Sequence, residues 1–362
     1  MIMNNNNSDA KEFLKKLSSL RCVSGYELDS PAAAAIREEF SKYCGDVKTD
    51  RLGNIIARKD GSPKDGGRKI KILFAAHMDE IGLMVTGVNK QGLVTFTTLG
   101  GFDARTLPCR EVIIKTRLGA EIYGVIGAVP PHMIDKDKKD KASKIEDMGV
   151  DTGYTKDEIE KLVTVGDTII VKREPVELQN NCLAGKSLDN FAGVTALREA
   201  MRSLADYRHD AELYFAATSR EESGRTGGAF TAAYSIEPDI AVAVDAGYAR
   251  APEIAEQDSF EMGKGPAIAI GPNINGKVFE TLKTAAANND IPYQIEVCPM
   301  DSGTDASDMQ IAGNGAATGL ISIPVRNMHT AVETIKFDDV VSAARLIKAF
   351  VTELNGSRSD WR

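Results

Sequence analysis

Short apolar runs alternate with segments of helical period along most of this chain. The apolar runs, which are typical of strands, cover Ile70–Ala76, Glu212–Thr218, Ile240–Asp245, Ala267–Ile270, Tyr293–Val297 and Thr318–Ile323. The helical segments cover Asn190–Leu204, Gly228–Tyr234, Lys277–Asn288, Ala306–Gly313 and Asp338–Glu353. This alternation predicts a three-layer α/β/α fold, in which helices cover both faces of a mixed sheet.

Two further helices and a strand are predicted near the start of the chain. Ser8 is a suitable N-cap for the amphipathic segment that follows it, and the asparagine run before Ser8 predicts a frayed end. Ser30 and Pro31 begin a second helix that is predicted to run through Ala32–Tyr43, because proline is favoured at the first helical position. Asn54–Arg58 is predicted as a strand.

The pattern changes in the middle of the chain, where short segments rich in Val, Ile and Thr are broken by Gly and Pro. Leu93–Thr97 and Thr168–Lys172 are typical of the short strands that this composition favours. We therefore predict a small β-rich domain at 84–176, inserted into a catalytic domain formed by 1–83 and 177–362.

Composition and charge exclude several classes of protein. The 362 residues are 43% hydrophobic and 27% charged, which excludes a disordered chain. No apolar run reaches the roughly 18 residues of a membrane-spanning helix. The net charge of −8 argues against a nucleic-acid-binding protein, which needs a basic surface. The five cysteines are scattered and the first residues do not form a signal peptide, so we expect reduced thiols and a cytoplasmic location.

Polar residues follow the apolar runs where open α/β sheets bind their ligands, at the carboxyl ends of the strands. These residues are His77, Asp79, Glu80, Glu221, Glu222, Asp245, Arg326 and His329. Asp189 is a further candidate, because it follows a glycine turn at the start of a predicted helix. Each residue alone has an ordinary explanation, such as a hydrogen-bonded pair, a solvated corner or a helix cap. Their common position at one edge of the sheet is what favours a shared function.

The candidate side chains suit a pair of divalent metal ions. Imidazoles and carboxylates without thiolates favour Zn²⁺, Co²⁺ or Mn²⁺. Two ions roughly 3.5–4 Å apart need about three protein ligands each, with one ligand shared. The predicted sets are His77, Asp189 and Asp245 for one ion, and Asp189, His329 and one glutamate of Glu221–Glu222 for the other. The second glutamate is then free to act as a general base, and the residues alone do not decide which one it is.

Asp79 and the remaining histidines complete this interpretation. Because residues i and i+2 of a strand point to the same side, Asp79 is expected to reach back and orient the ring of His77. The chain has four histidines, and two of them are candidate ligands. His209 is predicted to be an exposed turn residue, and His132 belongs to the inserted domain.

Several motifs resemble, in the same order, those of the tetrahedral (TET) aminopeptidases, dinuclear metallopeptidases that include glutamyl, lysyl and leucyl aminopeptidases. They are Ala76-His-Met-Asp-Glu-Ile-Gly82, Gly124-Val-Ile-Gly-Ala-Val-Pro-Pro-His132, Ser187-Leu-Asp189-Asn190, Glu221-Glu222, Gly303-Thr-Asp-Ala306 and Ile323-Pro-Val-Arg-Asn-Met-His329-Thr-Ala-Val-Glu333. The resemblance covers nearly the whole chain.

The resemblance implies a role for each candidate residue and an activity. The implied metal ligands are His77, Asp189, Glu222, Asp245 and His329, and Glu221 is the implied general base. The implied reaction is the release of N-terminal residues from short peptides with a co-catalytic pair of metal ions. The resemblance also implies a barrel-like inserted domain that forms dimers, and a dodecamer built from those dimers. A free dimer is the alternative, because few substitutions are enough to remove an interface.

Departures from the family pattern bear on substrate preference. Arg220 precedes the glutamate pair where glutamine is usual, and Arg225 lies in the segment that follows the pair. Asn190 and Phe191 stand where Asp and Arg are common. If the two arginines face the substrate, they favour peptides whose N-terminal residue is acidic. If they face solvent or pair with neighbouring acids, they have no such effect.

Other activities are possible on the same metal ligands. A deacylase or a dipeptidase is the main alternative. An endoglucanase-like glycosidase is less favoured, because a glycosidase needs a carboxylate pair that is not engaged by metals. A non-catalytic scaffold is disfavoured because no ligand or base is missing.

Overall fold

The computed structural model describes residues 2–63, 68–133, 143–224, 226–252, 254–355 and 361. The helices are α1 (Ile2–Ser19), α2 (Pro31–Phe40), α3 (Lys156–Ile159), α4 (Leu188–Leu204), α5 (Gly228–Ile236), α6 (Gly276–Asn288), α7 (Asp305–Gln310) and α8 (Phe337–Glu353). The strands of the first half are β1 (Asp46–Thr49), β2 (Ile55–Lys59), β3 (Lys71–His77), β4 (Gly82–Val88), β5 (Val94–Leu99), β6 (Arg110–Lys115), β7 (Glu121–Ile126), β8 (Val150–Asp151) and β9 (Thr168–Val171). Those of the second half are β10 (Val176–Leu178), β11 (Cys182–Gly185), β12 (Glu212–Thr218), β13 (Ile240–Tyr248), β14 (Ala267–Ile270), β15 (Gln294–Val297), β16 (Ala317–Arg326) and β17 (Glu333–Lys336).

Eleven strands form one mixed sheet, in the order β1-β2-β12-β3-β13-β16-β17-β11-β10, with β14 and β15 branching from β16. The four central strands β12, β3, β13 and β16 are parallel neighbours. Helices α1, α4, α6 and α8 pack together on one face, and α5 and α7 pack on the other. The predicted three-layer α/β/α fold with a mixed sheet is therefore confirmed.

The centre of the sheet is buried because its strands are apolar on both faces. Every residue of β3 after Lys71 is buried, as expected for a strand covered by two helix layers. Phe74 stacks on Phe215 of β12 and meets Phe350 of α8 edge to face. Aromatic pairs in these geometries add to the stabilisation that burial provides. The core thus fixes the strands whose ends carry the candidate residues.

A second, separate core lies in a closed barrel of six strands, in the order β4-β5-β8-β7-β6-β9. All of its strand pairs are antiparallel, and its interior contains side chains such as Val85, Phe96, Ile114 and Ile169. The barrel strands follow β3 and precede β10 along the chain. The expected barrel-like inserted domain is present. None of the helices in the described part of the chain combines the length and apolar character that a membrane crossing requires.

The N-terminal helices differ in how well the sequence predicted them. Ser30 caps α2 as expected, since its hydroxyl accepts hydrogen bonds from the amides of Ala32 and Ala33. Helix α1 instead begins at Ile2, so the predicted frayed end is wrong and Ser8 lies inside the helix. Ala10 and Leu14 are fully buried and anchor α1. Once a helix has formed, extending it through an asparagine costs at most about 0.7 kcal/mol per residue, so the asparagine run does not stop it.

Candidate metal centre

Three of the candidate segments meet at the carboxyl ends of the central strands. His77 is the last residue of β3 and is paired with Thr218, the last residue of β12. Glu221 and Glu222 lie in the turn that begins three residues after the end of β12, and Asp245 lies in β13, the other neighbour of β3. Parallel strands present their carboxyl ends at one edge, so these side chains converge.

The other two candidates come from turns on either side of this edge. Asp189 lies at the start of α4, two residues after Ser187, and His329 lies in the turn between β16 and β17. Ser187 and His329 both have left-handed backbone, with φ of 57° and 60°. The Asn190 side chain donates a hydrogen bond of 2.8 Å to the backbone oxygen of Val244, which ties the start of α4 to β13.

The first group of converging donors is His77, Asp189 and Asp245. Nε2 of His77 lies 3.2 Å from Oδ1 of Asp189 and 3.4 Å from Oδ1 of Asp245. All three side chains are buried. Their donor atoms lie within 4.8 Å of one another, which is close enough for all three to bind one ion.

The second group is Asp189, Glu222 and His329. Nε2 of His329 lies 3.2 Å from Oε2 of Glu222 and 3.5 Å from Oδ2 of Asp189. Asp189 therefore directs Oδ1 to the first group and Oδ2 to the second, as a bridging carboxylate does. The side chain of His329 is 35% exposed, whereas that of His77 is 2% exposed, so the second group lies nearer to solvent.

Asp79 holds the backbone that carries the two glutamates. Its Oδ1 accepts a hydrogen bond from the amide of Glu221 and its Oδ2 accepts one from the amide of Glu222, both at 3.1 Å. Its Oδ1 also lies 3.8 Å from Nδ1 of His77, which is within the range of an ion pair but too far for a hydrogen bond to the ring. The backbone oxygen of Asp79 lies 3.0 Å from Nδ1 instead. Strand β3 ends at His77, so the strand alternation that predicted the contact does not extend to residue 79.

Two buried acids beside the cluster were not assigned a role from the sequence, although both lie in motifs singled out there. Asp305 begins α7 and accepts a hydrogen bond of 2.5 Å from Thr218. Glu333 begins β17 and accepts hydrogen bonds from the amides of His329 and Asp189. Neither acid follows an apolar run directly, so a search of strand ends does not find them. Their position depends on the fold.

Burial of so many carboxylates leaves an excess of negative charge. Burial raises the pKa of Glu221, Glu222 and Asp245, and neighbouring acids add to the effect. It also raises the pKa of Asp305 to about 7. Desolvation disfavours the charged form of an acid, and a bound cation reverses that effect.

The two imidazoles respond to the same charges. Burial disfavours protonation of His77, but the carboxylates of Asp245 and Glu221 outweigh it and raise the pKa of His77 well above 6.5. Hydrogen bonds with Asp189 and Glu222 raise the pKa of His329 to about 11. Imidazole nitrogens and carboxylate oxygens are donors that Zn²⁺, Co²⁺ and Mn²⁺ accept. The donor set and its charge therefore fit two divalent cations.

Three residues named from the sequence lie outside the cluster or outside the described chain. His209 was predicted to be exposed, but it is buried, with Nδ1 lying 2.7 Å from the backbone oxygen of Ala211. The turn between α4 and β12 packs against Gly61 and Ser62, and the backbone N–H of Ser62 donates a hydrogen bond of 2.7 Å to the backbone oxygen of His209. His132 is exposed in the inserted segment, away from the cluster. Arg225 lies outside the described residues.

The model of the M42 glutamyl aminopeptidase family matches residues 53–346. The chain belongs to this family. The lysyl aminopeptidase of Pyrococcus furiosus is 35% identical to it over 347 residues, which cover 95% of this chain and 97% of that protein. A TET aminopeptidase from the marine sediment archaeon Thaumarchaeota archaeon SCGC AB-539-E09 has a similar structure, with a TM-score of 0.89, 30% identity and coverage of 97% and 98%. The TET1 peptidase of Pyrococcus horikoshii, which can assemble into a tetrahedron or a large octahedral shell, gives a TM-score of 0.79, 32% identity and coverage of 94% and 98%.

Membership of the M42 family establishes the class of enzyme. The chain is an aminopeptidase and therefore a peptide hydrolase, as the motifs indicated. Peptidases of this family depend on metal ions, and the cluster around Asp189 provides the carboxylates and imidazoles that metals bind. The structure of this M42 aminopeptidase also agrees with the fold of the TET enzymes.

Proposed function

We propose that this chain is a dinuclear aminopeptidase with the two donor groups as its metal sites. His77, Asp189 and Asp245 would hold one divalent ion, and Asp189, Glu222 and His329 would hold the other. The observation that carries this proposal is that Asp189 directs one oxygen to His77 and the other to His329. A shared carboxylate between two histidines is the arrangement that a two-metal hydrolase needs.

Glu221 is the proposed general base. Bound divalent cations would supply Lewis-acid polarisation of the substrate carbonyl. Glu221 takes a proton from the attacking water as the new C–O bond forms, and gives it to the leaving amine as the C–N bond breaks. Its side chain is 18% exposed and its Oε2 lies 3.9 Å from Nε2 of His77, so it reaches the cluster without being enclosed by it. Asp79 positions Glu221 through the backbone amide.

The activity is tested with substrates that separate the possible hydrolases. Aminoacyl anilides, acylated amino acids, dipeptides and carboxymethyl-cellulose would be offered to enzyme that has been demetallated and then reloaded. We expect hydrolysis of the anilides with metal and none after chelation. A preference for acylated amino acids or dipeptides would favour the alternatives, and activity that survives exhaustive demetallation would overturn the metal assignment.

The native metal is proposed from the donor chemistry. Neither donor group contains a thiolate, which supports Zn²⁺ or Co²⁺, with Mn²⁺ as a further candidate. Metal analysis of protein purified without added metal identifies the native ion. Reloading with each of the three ions separately then gives the ion that supports the highest turnover.

We also propose that residues 84–176 form the dimerisation domain, and that dimers assemble into a dodecamer. Exposed apolar side chains on the barrel, including Tyr123, Val125 and Val129, support an interface there. With 39.0 kDa per chain, a dodecamer has a mass of about 470 kDa. Sedimentation velocity distinguishes it from a dimer near 78 kDa, and a species near 39 kDa would contradict both. Val125→Asp is expected to dissociate the dimer.

A cytoplasmic location is proposed because the cysteines are unpaired. All five are free thiols, and Cys22, Cys44 and Cys298 are buried. Disulfides are rare in a reducing compartment. Fractionation of cells followed by immunodetection tests the location.

Which N-terminal residue of the peptide substrate the enzyme prefers is a separate question. A cavity of about 460 Å³ opens beside Glu221, and its lining includes Asp301, Asp305 and Asp308. The described part of this lining therefore carries four carboxylates and no cation, which does not support the hypothesis of an acidic first residue. A kinetic screen over Glu, Asp, Lys, Arg and Leu anilides decides the preference. Rates for Glu and Asp well above the others would restore the hypothesis that arginines bind the substrate.

A further inference from the structure

Glu333 connects Asp189 and His329, two proposed ligands that lie outside the strands. Its Oε1 accepts a hydrogen bond from the amide of His329, and its Oε2 accepts one from the amide of Asp189, both at 2.9 Å. His329 is four residues away along the chain, whereas Asp189 is 144 residues away. One carboxylate therefore ties the backbone of Asp189 to the backbone of His329.

The contacts of Glu333 are unusual for a buried acid. The residue is 2% exposed, and no described lysine or arginine forms an ion pair with it. The nearby Lys186 donates to Glu80 at 2.6 Å instead. Burying a carboxylate without a cation is costly, and a hydrogen bond from an amide to a charged acceptor offsets part of that cost. An acid kept in this position despite the cost is expected to serve a purpose other than stability.

The backbone that Glu333 holds is irregular, because Asp189 has non-helical φ and ψ of −80° and 102° at the start of α4 and His329 lies in a turn. His329 has a φ of 60°, and Ser187, two residues before Asp189, has a φ of 57°. Residues other than glycine adopt this left-handed region rarely, so surrounding contacts must hold them there. Two of the other ligands, His77 and Asp245, instead lie in strands of the sheet.

We propose that Glu333 is a positioning residue that sets the spacing between the bridging Asp189 and His329, and so adjusts both metal sites. This inference rests on the proposed dinuclear centre. Loss of the Glu333 carboxylate is expected to affect the site of Asp189, Glu222 and His329 more strongly, because both of the residues it holds belong to that site. The site of His77, Asp189 and Asp245 shares only one of them.

Zn²⁺ affinity of the full-length protein tests the inference. We expect Glu333→Gln to weaken binding roughly 10- to 100-fold at the site of Asp189, Glu222 and His329, measured by competition with a chromophoric chelator, because partners that orient metal ligands have effects of this size. The visible spectrum of the Co²⁺-loaded variant should also change, since it reports ligand geometry. Asp339→Asn is the matched control: Asp339 is equally buried and accepts hydrogen bonds from the amides of Gly263 and Gly265, in a turn outside the cluster.

The results separate this inference from the proposed function. Weaker Zn²⁺ binding in Glu333→Gln, with wild-type affinity in Asp339→Asn, supports positioning. Wild-type affinity and an unchanged Co²⁺ spectrum in Glu333→Gln, while the wild-type protein binds two ions, overturn the inference alone. Failure of the wild-type protein to bind two ions overturns the dinuclear centre and this inference with it. If Glu333→Gln does not fold, Glu333→Asp retains the charge on a shorter side chain, and wild-type affinity in that variant would also overturn the inference.

Discussion

The carboxylate of Asp79 accepts a hydrogen bond from the backbone amide of Glu221 at 3.1 Å, whereas its distance of 3.8 Å from Nδ1 of His77 is too long for a hydrogen bond. Asp79 therefore acts on the proposed base through the backbone. An acid next to a histidine in the sequence is often taken to orient the imidazole. Here the carboxylate instead holds the backbone of the loop that carries Glu221 and Glu222, because the strand ends before Asp79.

Replacing Asp79 tests this relationship. Asp79→Asn keeps one acceptor oxygen but turns an amide nitrogen towards the other backbone N–H, so the segment of Glu221 and Glu222 should shift. We expect kcat to fall roughly 10- to 100-fold. Steady-state kinetics at saturating metal measure the change. A wild-type kcat in Asp79→Asn would show that the hydrogen bond does not position the base.

Replacing Glu221 tests the proposed base. Glu221→Gln should bind metal normally and lose roughly 10²- to 10⁴-fold in kcat, because general acid–base catalysis contributes about that much. Metal analysis and turnover would be measured on the same preparation. Glu222→Gln is the comparison, since it should lose metal from the site of His329. Near wild-type turnover in Glu221→Gln would place the base elsewhere.

The proposed bridging role of Asp189 predicts a difference in metal content. Asp189→Asn removes one of the two oxygens that the groups share, so both sites should lose metal. Asp245→Asn should affect only the site of His77. The number of metal ions per chain after dialysis distinguishes the variants. If Asp189→Asn and Asp245→Asn lost the same amount of metal, Asp189 would not be shared between the sites.

The buried His209 predicts a pH dependence of stability. Burial lowers the pKa of His209 below 6.5, so the unfolded chain binds more protons than the folded chain as pH falls past 6.5. The stabilisation is complete above pH 6.5 and is lost as pH decreases towards the folded pKa. Denaturant midpoints at pH 7.5 and 5.5 should fall less for His209→Gln than for the wild type. An identical fall in both proteins would contradict this prediction.

Gly193 is expected to tolerate no side chain. A Cβ atom there would lie 2.3 Å from Oδ1 of Asn190 and 2.6 Å from the backbone oxygen of Val244. We expect Gly193→Ala to reduce the free energy of unfolding by about 1–3 kcal/mol, as overpacking of a core does. Gly276→Ala is the control, because no atom lies within 4 Å of its Cβ position and alanine favours the helix. Thermal unfolding of the two variants measures the difference.

The sequence predicted the central strands well because they are apolar throughout. The predicted run Glu212–Thr218 coincides with β12, and the predicted run Ile70–Ala76 differs from β3 by one residue at each end, since only a strand covered on both faces needs such composition. Strands β10, β11 and β17 were not predicted. They are short, and Val176–Leu178 is exposed, so no hydrophobic pattern marks them. His209 shows the opposite error, because a polar turn became buried when another loop packed against it.

By itself, the sequence determined which side chains are available for chemistry and at which edge of the sheet they lie. Apolar runs set the strands, and the ends of parallel strands meet at one edge, so His77, Glu222 and Asp245 had to be neighbours. Only the tertiary structure decided which oxygen faces which histidine and which amides the buried acids hold. Those contacts join residues more than a hundred positions apart, such as Asp189 and Glu333, and they depend on turns whose backbone is held by long-range packing rather than by local residue preference.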